Sequence, residues 1–168
     1  DPRREAAEAL GRELGVPVRD DHRALLQDPT VHAVAICSST DTHARLIREA
    51  AAAGKHVFCE KPIALDLAEI RSALEALERS GVLFQIGFNR RFDPQFRRGG
   101  EWVRSGRLGT LEVLRITSRD PSPPPLDYVS VSGGIFLDMT IHDFDMARFL
   151  AGDEVEEVYA AGAVRVDP

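Results

Sequence analysis

The stretch VHAVAICSSTDTHARLIREAAAAGKHVFCEKP (31–62) decides the fold. It opens on VHAVAIC (31–37), a continuous apolar run of the kind that marks a strand buried on both faces. The polar turn SSTDTH (38–43) follows, with Asp41 or Thr42 as N-cap of a helix over 42–53. Gly54 closes that helix, as glycine at C′ often does. HVFCE (56–60) is the next buried strand, KPIALD (61–66) its turn, and 67–80 a helix ended by Gly81. VLFQIGF (82–88) is a further strand. Strand, helix, strand, helix over short connections predicts parallel strands joined by right-handed crossovers, a doubly wound α/β sheet.

Upstream, a helix over 3–14 leads to a short strand around 16–18 and a small helix near 21–27. The pattern changes after about Arg91, dividing 1–91 from 92–168. The second part reads as a helix near 93–105 interrupted by Gly99–Gly100, then a loosely alternating strand TLEVLRITSRD (110–120). PSPPPLDY (121–128) cannot be regular structure, because proline lacks a donor and fixes φ. A helix carrying DMTIHDFDMARFL (138–150) and a strand from about Glu154 complete it. Long strands with one helix predict an α+β domain on a large, mostly antiparallel open sheet.

Composition bounds the function. At 168 residues, 43% of them hydrophobic, the chain can form one sizeable core and part of another. The net charge of −6 and pI near 5.4 argue against a nucleic-acid surface, which needs clustered positive charge. No long apolar run and no basic-then-apolar leader is present, so no membrane span or secretion signal is expected. Cys37 and Cys59 lack metal-ligand or redox spacing and read as packed thiols of a reducing cytoplasm. The chain opens on an Ala- and Glu-rich helix and stops within the alternating run AAGAVRVDP. It therefore reads as a fragment of a longer protein.

In DMTIHDFDMARFL, Ile141, Phe144, Ala147 and Leu150 recur at helical spacing and predict one buried stripe. Asp138, His142 and Asp145 recur at four and three residues on a neighbouring stripe. Alone, an Asp–His pair at i,i+4 is a mild helix stabiliser, worth about 0.2–0.5 kcal/mol. In a doubly wound sheet, however, ligands bind beyond the carboxyl ends of the strands. Three polar turns gather there: SSTDTH (38–43), EKP (60–62) and NRRFD (89–93). Lys61 stands out, because of 21 basic residues only it and Lys55 are lysine. A lysine amid such arginine bias points to a need for a compact charge, and Pro62 holds it extended at the strand's end.

The segments AICSSTDTHARLIREAAAAGKHVFCEKPIALDLAE, GFNRRFDPQF, ITSRDPSPPP and GGIFLDMTIHDFDMARFLAGDEV resemble the glucose–fructose oxidoreductase/inositol dehydrogenase/MocA family. The resemblance covers essentially the whole chain. It implies a Rossmann-type dinucleotide-binding domain over 1–91, truncated at its N-terminus, and a truncated α+β substrate domain over 92–168. It also implies oxidation of a cyclitol or sugar secondary alcohol, myo-inositol foremost, with hydride passing to NAD; NADP stays open.

The resemblance makes Lys61, Asp138 and His142 the catalytic set. Histidine's ordinary titration range suits a base for the hydroxyl proton, Asp138 would orient it, and Lys61 would favour charge on the reacting oxygen. Ser38, Ser39, His43, Glu60, Lys61 and Asn89 are the implied cofactor contacts. Arg91, Asp120 and Tyr128, with the catalytic set, are the candidates for polyol hydroxyls, while Asp145 would pair with an arginine or bind a second hydroxyl. No metal is expected. The implied assembly is a homo-oligomer, a tetramer, in the cytoplasm. The family's Gly-x-Gly-x-x-Gly turn has no counterpart in these residues. The rival reading is a relative that binds nucleotide or sugar without turnover, as a sensor or regulatory subunit; the joint presence of Lys61, Asp138 and His142 favours the enzyme.

Overall fold

Parallel pairing of β1 (Ala33–Ile36), β2 (His56–Cys59) and β3 (Phe84–Ile86) builds the sheet in this computed structural model, which describes residue 1 and residues 3–163. The order is β1-β2-β3, with Ile36 level with Cys59 and Cys59 level with Ile86. α3 (Thr40–Ala52) and α4 (Leu67–Ser80) make the two crossovers. Right-handed connections that step in one direction put both helices on one face. Burial agrees: Ile36, Val57 and Cys59 pack with Ala44, Ile47, Ala50 and Ala51 of α3 and with Ala73 and Leu77 of α4. Ala33, Ala35 and His56, on the other face, are exposed. Burial on both faces, expected from the apolar runs, is therefore not found among the described residues.

Local chemistry sets the helix ends. α1 (Arg4–Leu14) and α4 each end on a left-handed glycine, Gly15 and Gly81. α2 (His22–Gln27) starts at Asp21, whose carboxylate accepts the Arg23 N–H, and Asp66 caps α4 through the N–H groups of Ala68 and Glu69. α3 begins two residues earlier than expected, with Ser39 and not Asp41 or Thr42 at its N-cap. Residues 16–18 form no strand; Val18 packs instead against Gly11, where a Cβ would come within 2.5 Å of its methyl.

The chain folds as two compact units. The first is Asp1–Phe88 with Pro124–Met139, and the second is Asn89–Pro123 with the chain from Thr140. The first unit regains the chain through α6 (Leu126–Ser132) and α7 (Gly134–Asp138); residues 126–128, expected to be irregular, form the first turn of α6, where Pro125 is the N-cap and its missing donor costs nothing. Gly133 turns between them at φ +83, and a Cβ there would lie 2.7 Å from Leu65, so α7 seats closely on the turn after β2.

In the second unit a 3₁₀ turn, Asn89–Phe92, precedes α5 (Pro94–Arg104), which Asp93 caps with Pro94 in its first turn. Gly99 and Gly100 do not interrupt α5. They let it approach α8 (Ile141–Ala151), since a Cβ on Gly100 would sit 3.2 Å from the Phe149 ring.

Three expectations differ from the structure. The helix of the Asp–His motif is broken: Asp138 ends α7, and His142 is the second residue of α8. Lys61 supplies a physical reason, because its ammonium donates to the Asp138 carbonyl that a continuous helix offers to the amide four residues on. Nor is the buried stripe of α8 the expected one. Asp145 and Met146 are buried, at 6% and 1% exposure, whereas Phe144 is 52% exposed. The large antiparallel sheet is likewise not found among the described residues. Residues 110–120 and 154–163 make no ladder, and an extended segment becomes a strand only when a neighbour pairs with it.

Candidate functional site

Two backbone hydrogen bonds and one from a side chain place the turn after β2. The Glu60 N–H donates to Ile36 O at 2.9 Å, the Gly87 N–H to Cys59 O at 2.8 Å, and the Cys59 thiol to Glu60 O at 3.3 Å. Lys61 thus leaves the carboxyl edge of the sheet from a fixed backbone.

Lys61 is the centre of the polar cluster in the first unit. Its Nζ donates to the backbone carbonyl of Asp138 at 2.7 Å and to Asp138 Oδ1 at 3.0 Å. The Tyr128 hydroxyl donates to the same Oδ1 at 2.8 Å. That hydrogen bond, assisted by burial and the carboxylate charge, pushes the Tyr128 phenol above its ordinary value of 10.0. An ammonium has three N–H groups, so Lys61 keeps one for a further acceptor beyond its two bonds to Asp138.

The turn after β1 is ordered by its own hydroxyls. Ser38 Oγ meets Thr42 Oγ1 at 2.6 Å, and Thr42 Oγ1 donates to Ser39 O at 2.7 Å. Ser38 and Ser39 are exposed at the start of α3. His43 is not: it is 1% exposed. Its Nδ1 lies 2.8 Å from Pro62 O and its Nε2 2.9 Å from Ser38 O, so the ring braces the two turns from beneath. Both partners are carbonyls, and a ring bearing one proton donates to only one of them. Glu60 is half-buried with its carboxylate against Gly87.

In the second unit the NRRFD turn is tied to α8. Arg91 makes a forked pair with Asp145, at 2.9–3.0 Å through Nε and 2.6 Å through Nη2. This hydrogen bonding raises the Arg91 guanidinium above its ordinary value. The guanidinium also lies 5.5 Å from the centre of the Phe149 ring. Arg90 donates to Asp143 at 2.6 Å, and Ser118 donates to the same carboxylate oxygen at 2.6 Å. Asp145 therefore takes the arginine alternative offered by the sequence, and Arg91 is engaged in structure. Asn89 and Asp120 are exposed, and His142 is half-buried near the start of α8.

Sequence reasoning missed Arg90, Ser118 and Gly87. The two arginines of NRR and the Asp-x-Asp of HDFD (142–145) carried a signal for paired ion bonds. Gly87 carried none, because its close approach to Glu60 depends on the strand register. Among the described residues no three His, Cys, Asp or Glu side chains are grouped to hold a metal ion, and no helix is long and apolar enough to cross a membrane.

Residues 1–88 match the Gfo/Idh/MocA oxidoreductase family in its NAD-binding Rossmann fold, and residues 96–168 match the family's C-terminal domain. The chain belongs to the Gfo/Idh/MocA oxidoreductase family. A myo-inositol 2-dehydrogenase of Thermotoga maritima is 56% identical over 98% of this chain and 48% of its own length. An inositol 2-dehydrogenase of Rhizobium meliloti is 51% identical over 96% of this chain and 49% of its own. The crystal structure of a probable dehydrogenase from Thermotoga maritima superposes with a TM-score of 0.97 at 54% identity, covering 99% of this chain and 51% of that one. A scyllo-inositol dehydrogenase of Lactobacillus casei, solved with NAD(H) and scyllo-inositol, gives 0.81 at 35% identity over 90% of this chain and 47% of that one. The chain spans about half the length of the curated family members it matches. Family membership makes the parallel sheet and its carboxyl-edge turns part of an NAD-binding domain.

Proposed function

We propose that this chain supplies the catalytic turn and part of the substrate domain of an NAD-dependent inositol dehydrogenase. The observation that carries this reading is the Lys61 ammonium, seated on the carbonyl and carboxylate of Asp138 with an N–H to spare. Support comes from the inositol dehydrogenases among its relatives. The dinucleotide, when bound, accepts hydride from the alcohol carbon. The remaining work falls to side chains of this chain.

Lys61 donates its third N–H to the reacting oxygen and favours negative charge there as the hydroxyl proton leaves. Asp138 and Tyr128 hold the ammonium's anchor in place, so that donor costs little reorganisation. His142 takes the hydroxyl proton on an imidazole nitrogen, the task for which histidine's ordinary titration range is suited. Asp138 in addition orients that imidazole. Ser38, Ser39, Glu60 and Asn89 offer hydroxyl, carboxylate and amide groups to the dinucleotide. His43 acts beneath them by holding the two turns together. Asp120 is offered to the polyol's other hydroxyls. Arg91 serves that end indirectly, through Asp145.

Residues 110–120 and 154–163 are proposed as strands of the complete second domain's open sheet. Their exposed apolar side chains, such as Val113 at 81% and Val158 at 83%, support this. Near-ultraviolet absorbance of reduced nicotinamide, followed in the complete enzyme with NAD and a panel of inositol isomers and sugars, tests the function. Appearance of the signal with myo-inositol is expected. Nucleotide or polyol binding without any turnover would favour a sensor instead.

A further inference from the structure

We propose that Gly87 is a positioning residue, the floor on which the Glu60 carboxylate rests and which sets where that carboxylate meets the dinucleotide. The inference depends on Glu60 being a cofactor contact, as proposed above.

Gly87 is buried, and its φ lies outside the left-handed region, so no conformational need demands glycine there. Space does. A Cβ at position 87 would lie 2.8 Å from Glu60 Oε2, 3.1 Å from Cδ and 3.3 Å from Oε1. All three atoms belong to one carboxylate, so that group occupies the space a side chain at 87 would take. The Gly87 N–H bonds Cys59 O, and Cys59 pairs with Ile86 in the ladder, so the floor itself is fixed. The Glu60 backbone is fixed as well, by Ile36 O on its N–H and the Cys59 thiol on its carbonyl. What remains free to move is the Glu60 side chain. A methyl group at 87 would thus displace a flexible carboxylate and leave the backbone alone, and the fold would tolerate it.

This predicts a variant whose stability and binding part company. In the complete enzyme, Gly87→Ala should leave the apo unfolding midpoint at or above the wild-type value, since alanine at a compatible φ restricts the unfolded chain. Calorimetric NAD affinity should fall about 10-fold, a loss expected when a charge-assisted hydrogen bond is misplaced. Glu60→Asp draws the carboxylate back by one bond, about 1.5 Å, so adding it to Gly87→Ala should recover part of the affinity. Adding Gly87→Ala to Glu60→Ala should change affinity less than about 2-fold, because the two residues then no longer interact. Additive losses in that pair, or no recovery with Glu60→Asp, would overturn the inference. So would wild-type NAD affinity in Gly87→Ala alongside weakened binding in Glu60→Gln, while leaving Glu60 a cofactor contact. If neither position affects NAD affinity, the cofactor role of Glu60 falls too.

Discussion

Lys61 donates to Asp138 twice, to its backbone carbonyl at 2.7 Å and to its carboxylate at 3.0 Å. One ammonium therefore reads both the position of the α7 backbone and the rotamer of its last side chain. A point charge with three divergent donors can do this and still offer a donor outward; a planar guanidinium is larger and does not place its charge at the same point. Lys61→Arg in the complete enzyme should lower kcat about 100-fold or more, the scale for losing an aligned donor at a developing oxyanion. Steady-state kinetics with inositol check this, and unchanged kcat and KM would return Lys61 to a structural role.

Arg91 and Asp145 tie the 3₁₀ turn to α8 with a forked ion pair whose carboxylate is buried. Removing one partner strands a buried charge. Because the guanidinium is 40% exposed, the expected loss for Arg91→Ala is about 2 kcal/mol, below the range for fully buried pairs. Arg91→Lys keeps charge but not the fork and should lose less. Urea unfolding of the two variants gives the comparison; equal stability to wild type would show the pair to be inert.

The two cysteines should separate chemically. Cys59 is buried, and burial, with smaller contributions from Cys37 and Glu60, pushes its thiol up to about 12. Cys37 is exposed, contrary to its expected packing. A thiol reagent at neutral pH should label one site per folded chain, at Cys37, and a second only after denaturation. Rapid labelling of both in the native protein would contradict the placement of Cys59 in the core.

Glu49 accepts from His22 at 2.6 Å and from Arg45 at 2.8 Å. The His22 bond, then the Arg45 bond, hold its carboxyl below the ordinary value of 4.5. A depressed carboxyl stabilises the fold above its unfolded value, and that stability is lost as pH falls through the lower folded value. Wild type should exceed Glu49→Gln by about 0.5 kcal/mol at neutral pH, a figure suited to a partly exposed cluster. Denaturant titrations should show the two converging well below pH 4.5.

Much of the first unit was legible because each element announces its own end. VHAVAIC and HVFCE stop at polar turns, and Gly54 and Gly81 both take left-handed φ where the helices close. The placement of Lys61 at a strand's end followed from that punctuation. Less visible was anything decided by distant partners. The split of the Asp138–His142 helix follows from an ammonium 77 positions away in sequence. The buried face of α8 follows from Arg91, which makes a carboxylate, Asp145, an inner residue and leaves Phe144 outside. Covering of the sheet on one face only follows from the crossover helices lying on the same side. The alternation in TLEVLRITSRD (110–120) signals a capacity to pair, and pairing needs a neighbour that periodicity does not supply.

The most direct measurement is the pH dependence of NAD reduction by inositol in the complete enzyme, for wild type, Asp138→Asn, His142→Ala and the double variant. The wild-type rate should rise through the histidine range and level off, as expected for a base that must be neutral to accept the proton. His142→Ala should abolish that rise. Asp138→Asn should lower kcat while the fold persists, and the double variant should be little worse than the poorer single one, the outcome expected of the proposed partnership. A His142→Ala enzyme with wild-type turnover and an unchanged pH profile would contradict the account.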